Sequence, residues 1–174
     1  MKALSDDGEI LVAVVDKTIY VKPFGFATQQ NALGLPDFIS AMFREGCKSV
    51  TLDLAECEGM DSTFFGVIAA AAMSPNSGRG EHGKGVLIIN ADAEAREQLG
   101  RIGLLPVVSI KEAPCDSPPD LQLSEIDFVH LPKTEEERLR KIKQLHEELV
   151  KLNERNRRNF GSFIEMLDKE LESD

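Results

Sequence analysis

Helix-patterned and strand-patterned segments alternate through residues 36–110, and that alternation restricts the chain to an α/β architecture. "LPDFISAMFREG" carries helical spacing, with Pro36 in the first turn and Gly46 as the stop. "KSVTLDL" is a short strand pattern with a helix on each side, which favours a buried, parallel position. "STFFGVIAAAAM" reads as an apolar helix whose small side chains let it lie close on a sheet, and "VLIIN" as a continuous apolar strand. "ADAEAREQLGRIG" sets Ala95, Leu99 and Ile102 on one helical face, with Asn90 as a candidate cap, and "LPVVSI" reads as a last strand. Ahead of these, "EILVAVVD" and "TIYVKPFG" form a hairpin pattern around Asp16-Lys17, with Pro23 ending the pairing or marking an edge. The expectation is a mixed β-sheet with helices packed on it. The order of the strands does not follow from the pattern.

The remainder of the chain is of another kind. Residues 113–130 are linker-like, rich in proline and acids, with "IDFVH" as a candidate edge strand. Residues 131–174 read as a helical extension. Thr134 with Glu137 makes a capping box, and Ile142, Leu145, Leu149 and Leu152 keep a 3-4-3 spacing that reaches Asn156. The pattern predicts one long helix over 134–160, a bend at Gly161, and a restart in 162–172 with Ser162 and Glu165 as a second capping box. Two clean heptads are too few for a free coiled coil, so this element packs back on the domain or pairs in a homodimer.

The net charge of −10 argues against nucleic acid or an anionic membrane surface as partner. The acidity sits in residues 1–130, with 10 Lys/Arg against 19 Asp/Glu, whereas 131–174 is nearly balanced at 10 against 11. "MKALSDDGE" turns acidic at once and does not read as a secretory signal, and no apolar run reaches the ~18 residues of a membrane span. Cys47, Cys57 and Cys115 are odd in number and lack CxxC spacing, which suits reduced thiols in a cytoplasm. His82, His130 and His146 are scattered, so neither a metal site nor a cofactor is expected.

"GRGEHGKG" (78–85) nearly spells a phosphate-binding loop, but Gly85 replaces the metal-binding hydroxyl and the stretch leads from helix to strand, the reverse of that motif. Ser62 lacks a Gly-x-Ser-x-Gly frame, and no histidine stands near it in sequence to activate it. No catalytic residue is expected. Asp61, Ser62 and Thr63 stand where a helix begins, and taken alone they are cap candidates.

Their wider frame carries a resemblance. "LDL" at 52–54, then Met60, Asp61, Ser62, Thr63 and Gly66, resembles the loop of the STAS family, the sulfate-transporter and anti-sigma-factor-antagonist domain. That loop reads Asp-Ser-Ser/Thr-Gly-Leu-Gly after a strand of similar character. The order of elements over residues 8–112 and the segment "LGRIGLLPVV" (99–108) are similar as well. The resemblance implies a non-catalytic STAS-like domain over 1–112. It implies that Ser62 is the phosphoacceptor of a partner-switching serine kinase that doubles as anti-sigma factor, with a phosphatase reversing the modification. Asp61, Thr63, Phe64 and Phe65 would then lie on the partner-binding surface. Phe64-Phe65 in place of Gly-Leu, and the extension after 130, depart from the family pattern. The alternative is a scaffold or adaptor that recognises partners through the Leu/Ile face of its C-terminal helix.

Overall fold

The computed structural model of the protein describes residues 8–78 and 83–173. His82 and half of the phosphate-loop lookalike, residues 79–82, lie outside them. The opening hairpin joins β1 (Glu9–Val15) to β2 (Thr18–Ala27), with Asp16 and Lys17 both in the left-handed region, as a tight two-residue turn requires. Helix α1 (Leu35–Arg44) leads to β3 (Ser49–Asp53), then β4 (Cys57–Met60) and α2 (Ser62–Met73). β5 (Val86–Ile89), α3 (Ala93–Ile102), β6 (Ser109–Ile110) and β7 (Ser124–Glu125) follow, then α4 (Glu135–Leu152) and α5 (Glu154–Glu172).

The sheet runs β6-β5-β3-β2-β1-β7, with β4 paired to β2. β2, β3, β5 and β6 are parallel, while β1 and β7 add antiparallel pairings. Successive parallel strands step the same way across the sheet, and right-handed crossovers then put their connecting helices on one face. Side chains from both helices and sheet meet there: Leu35 and Ile39 of α1, Phe64 and Ile68 of α2, Val21, Leu52 and Val86 of the strands.

Several local expectations are corrected. Pro23 does not end β2. It falls between the stretch paired with β3, up to Val21, and the stretch paired with β4, from Gly25, where neither parallel neighbour reaches its missing N–H. β4 has no strand-like composition and is held by that pairing. Asn90 does not cap α3. Asp92 does, accepting the Ala95 N–H at 2.8 Å, because the Asn90 side chain is engaged with Asp53 and the Cys115 backbone. "LPVVSI" yields a strand only at Ser109–Ile110, since Leu104 turns the chain by accepting from the Val107 and Val108 N–H groups. The edge strand lies at Ser124–Glu125, and Phe128–His130 form a 3-10 turn instead.

The C-terminal extension is a helical hairpin broken at Asn153, not at Gly161, through which α5 runs continuously. Asn153 caps α5 by accepting the Asn156 N–H at 2.8 Å. Asn156, buried, then donates to the carbonyls of Leu149 and Ile102, tying both helices of the hairpin to the end of α3. That end is Gly103 at φ +88°, a left-handed stop against which Asn153 packs. Thr134 caps α4 as expected, Oγ1 accepting the Glu137 N–H at 3.1 Å, whereas the Glu137 carboxylate accepts the Lys133 N–H at 2.7 Å in place of that of Thr134.

The hairpin lies against α2 as a third layer. α2 is apolar almost all round, and such a helix must be covered on both sides. The sheet covers one side and α4 the other, burying Leu139, Ile142, Leu145 and Leu149. Fully burying one Leu or Ile stabilises by about 1.5–3 kcal/mol, against about 0–1 kcal/mol for an exposed ion pair such as Lys141–Asp37. Apolar burial therefore decides the docking. Of the two expectations for the Leu/Ile face, packing back on the domain or meeting a partner helix or second copy, the structure has the first: the face is seated on α2 of the same chain.

Candidate functional site

The start of α2 is assembled from three parts of the chain. Asp61 is the N-cap: Oδ1 accepts the Phe64 N–H at 2.9 Å, and Oδ2 accepts the Gln29 N–H from the β2–α1 connection at 2.8 Å. Of the Asp-Ser-Thr triplet, then, the aspartate does the capping. That leaves the hydroxyl of Ser62, the first helical residue, free for another contact. It lies 2.9 Å from Nε2 of His146 on α4.

His146 is 2% exposed. Its Nδ1 stands 2.8 Å from the Ile142 carbonyl oxygen, one turn back along α4. A carbonyl only accepts, so Nδ1 carries the ring proton, Nε2 is the acceptor, and the Ser62 hydroxyl donates. The rings of Phe160 and Phe163 on α5 meet the imidazole in edge-to-face geometry, with centroids 5.4 and 4.8 Å away. Burial pushes the imidazole pKa below its usual value, against the opposing pull of the Ile142 hydrogen bond and the Asp61 charge. The ring is neutral at neutral pH.

Sequence spacing did not reveal this pair, because Ser62 and His146 are 84 residues apart. One signal exists: His146 stands four residues after Ile142 and directly after Leu145, inside the apolar stripe of α4. Gly66, one turn beyond Ser62, marks the same contact, since a Cβ there would stand 2.6 Å from the Leu145 carbonyl oxygen.

The other residues expected on a partner surface lie elsewhere. Thr63, Phe64 and Phe65 are buried, and Phe64 fills the space between α1, α2 and the sheet. The physical reason is the double cover on α2, which leaves its first turn exposed only near Asp61 and Ser62, both half-buried. Ser62 is thus less open than an uncovered helix start would be.

A second polar cluster lies at the end of β3. Asp53, 1% exposed, accepts from Tyr20 Oη at 2.8 Å and Asn90 Nδ2 at 2.9 Å, and pairs with Lys22 Nζ at 3.4 Å. Burial works against its carboxylate. The hydrogen bonds from Asn90, the Ala55 N–H and Tyr20, with the Lys22 charge, outweigh that and hold the carboxyl below the usual range. Ser117 and Cys115 of the 113–130 segment join the cluster, which pins that segment to the sheet. Every donor is matched, and among the described residues no buried side-chain polar atom lacks a partner. The cluster is a fastening. Among the described residues no group of three His, Cys, Asp or Glu is placed to share a metal ion, and no helix is long and apolar enough to cross a membrane.

No protein-family model and no curated protein matches the chain. Among solved structures it is similar to an anti-sigma factor antagonist from Mycobacterium paratuberculosis, with TM-score 0.50 and 19% identity, over 62% of this chain and 88% of that one. It is also similar to the anti-sigma factor antagonist SpoIIAA in its unphosphorylated form, with TM-score 0.49 and 15% identity, over 59% of this chain and 87% of that one. The chain has the mixed α/β fold of such antagonists, carrying C-terminal helices.

Proposed function

From the fold shared with an anti-sigma factor antagonist, we propose that this chain is a non-catalytic regulatory protein of the antagonist type, switched by phosphorylation of Ser62. A serine kinase that doubles as anti-sigma factor is its partner, and a phosphatase restores the unmodified form. The observation that carries this reading is the Ser62 hydroxyl: half-buried, at the first position of α2, beside an aspartate that already does the capping. A phosphate there adds about −1.5 to −2 charges next to the positive end of a helix, where an anion is tolerated. The added charge beside Asp61 weakens a complementary partner without unfolding the domain. α4 bonds Ser62 from one side, so a kinase has to approach from another.

The test is to incubate the full chain with candidate serine kinases and ATP, and to map phosphate by mass spectrometry. Modification at Ser62 and weakened binding of Ser62→Asp are expected. A Ser62 left unmodified by every cognate kinase sinks the reading.

A further inference from the structure

Nothing in the expected switch assigns a role to His146, yet it is the side chain that holds the Ser62 hydroxyl. The geometry is directional. Nδ1 is committed as donor to the Ile142 carbonyl, so Nε2 points its lone pair at the Ser62 O–H, 2.9 Å away. The base is buried and the hydroxyl is half-buried in front of it. An electrophile can therefore meet Oγ from the solvent side while the proton leaves inward. This is the relation a general base needs to its nucleophile.

We propose that His146 is the proton acceptor when Ser62 attacks a phosphoryl group, and the counter-ion of the phosphoserine that results. The proposal rests on Ser62 being a phosphoacceptor and names the group on this chain that serves it. In the step, the Oγ–P bond forms as the bond from phosphorus to the departing nucleoside diphosphate breaks. The leaving oxygen keeps that electron pair, and the serine proton passes to Nε2. The imidazolium stays beside the new phosphate and offsets its charge. The phosphoryl donor is a nucleoside triphosphate held by a serine kinase.

The surroundings suit both states of the ring. From α2, Asp61 faces it and its charge favours the imidazolium; from α5, Phe160 and Phe163 present uncharged rings; along α4, the Ile142 carbonyl accepts in either state. Before the transfer, burial keeps the imidazole in its base form at neutral pH.

Two arms test the proposal without a kinase. In the first, the full chain is treated with a fluorophosphonate ester, in which Oγ–P forms and fluoride leaves, and adducts are mapped by mass spectrometry. Ser62 should be labelled at a rate that rises with pH through the ionisation of His146 and then levels. His146→Gln keeps a hydrogen-bond acceptor but takes no proton, and it should label about 100-fold more slowly. An inert wild-type Ser62, a rate flat in pH, or a His146→Gln variant as fast as wild type would each overturn the proposal. The wild-type pH profile stands even where the variant is poorly folded. In the second arm, phosphoserine is installed at position 62 during translation and the imidazole is followed by nitrogen NMR. His146 should stay protonated to higher pH than in the unmodified chain; an unmoved titration removes the counter-ion role. A chain that passes both arms but is ignored by every serine kinase overturns the phospho-switch reading alone.

Discussion

Gly66 of α2 and Leu145 of α4 pack backbone to side, so closely that a Cβ on Gly66 would stand 2.6 Å from the Leu145 carbonyl oxygen and 2.8 Å from its Cβ. The obstacle is backbone, which has little room to yield. Ser62 and His146 meet one helical turn away. The glycine therefore sets how near α4 comes, and that nearness is what makes the Ser62–His146 bond possible.

Gly66→Ala should push α4 outward and destabilise the fold by about 1–3 kcal/mol, the usual range for overpacking, although alanine is the better helix former. Urea denaturation checks this. A variant as stable as wild type would mean that the two helices do not touch in solution.

Removing 134–174 should leave no well-behaved domain. The outer side of α2 loses its cover and presents a contiguous apolar surface. Sedimentation and circular dichroism should report aggregation or partial unfolding. A soluble, cooperatively folding 1–133 fragment would show that the hairpin is an accessory and not part of the core.

His146 predicts an acid limb in stability. Its pKa is lowered in the folded chain, so below about pH 6.5 the unfolded chain takes up a proton that the folded one refuses. Stability is therefore complete above that pH and falls as pH drops from there toward the folded pKa. Thermal unfolding at pH 7.5 and 5.5 should show the loss, and His146→Gln should flatten it.

Tyr20 can be followed alone, since the chain has one tyrosine and no tryptophan. Burial first, and the Asp53 carboxylate besides, push its pKa up to about 12. Asp53→Asn removes the charge but not the burial. Tyrosinate absorbance should then titrate at lower pH than in wild type while staying above the ordinary value of about 10.

Asn156→Ala should cost about 1–3 kcal/mol by removing the donor shared by the Leu149 and Ile102 carbonyls. Amide exchange should localise the effect to the α4–α5 junction and the end of α3. Uniform loss of protection would instead point to global unfolding with no special role for that junction.

Local rules made much of this chain readable. The strands over 9–15, 49–53 and 86–89, the first helix with Pro36, and the start of α4 at Thr134 all follow from apolar periodicity and capping chemistry within a few residues. Elements whose stability comes from a distant partner were misread or missed. β4 exists only through β2, Asn90 was taken from its helix by Asp53 and Cys115, and the break at Asn153 was hidden behind the more conspicuous Gly161. At the site, Asp61 and Ser62 were legible as a helix start, while the burial of Phe64 and Phe65 was not.

The sequence by itself determined that α2 would be a helix beginning at Asp61-Ser62 and apolar on nearly every side, because capping and periodicity act between neighbours along the chain. Only the tertiary structure decided what would cover that helix. Apolar burial has no direction and names no partner, so the pattern of α4 fitted a second copy as well as it fitted α2. Packing chose α2, and in doing so set His146 against Ser62, a contact across 84 residues that no local rule contains.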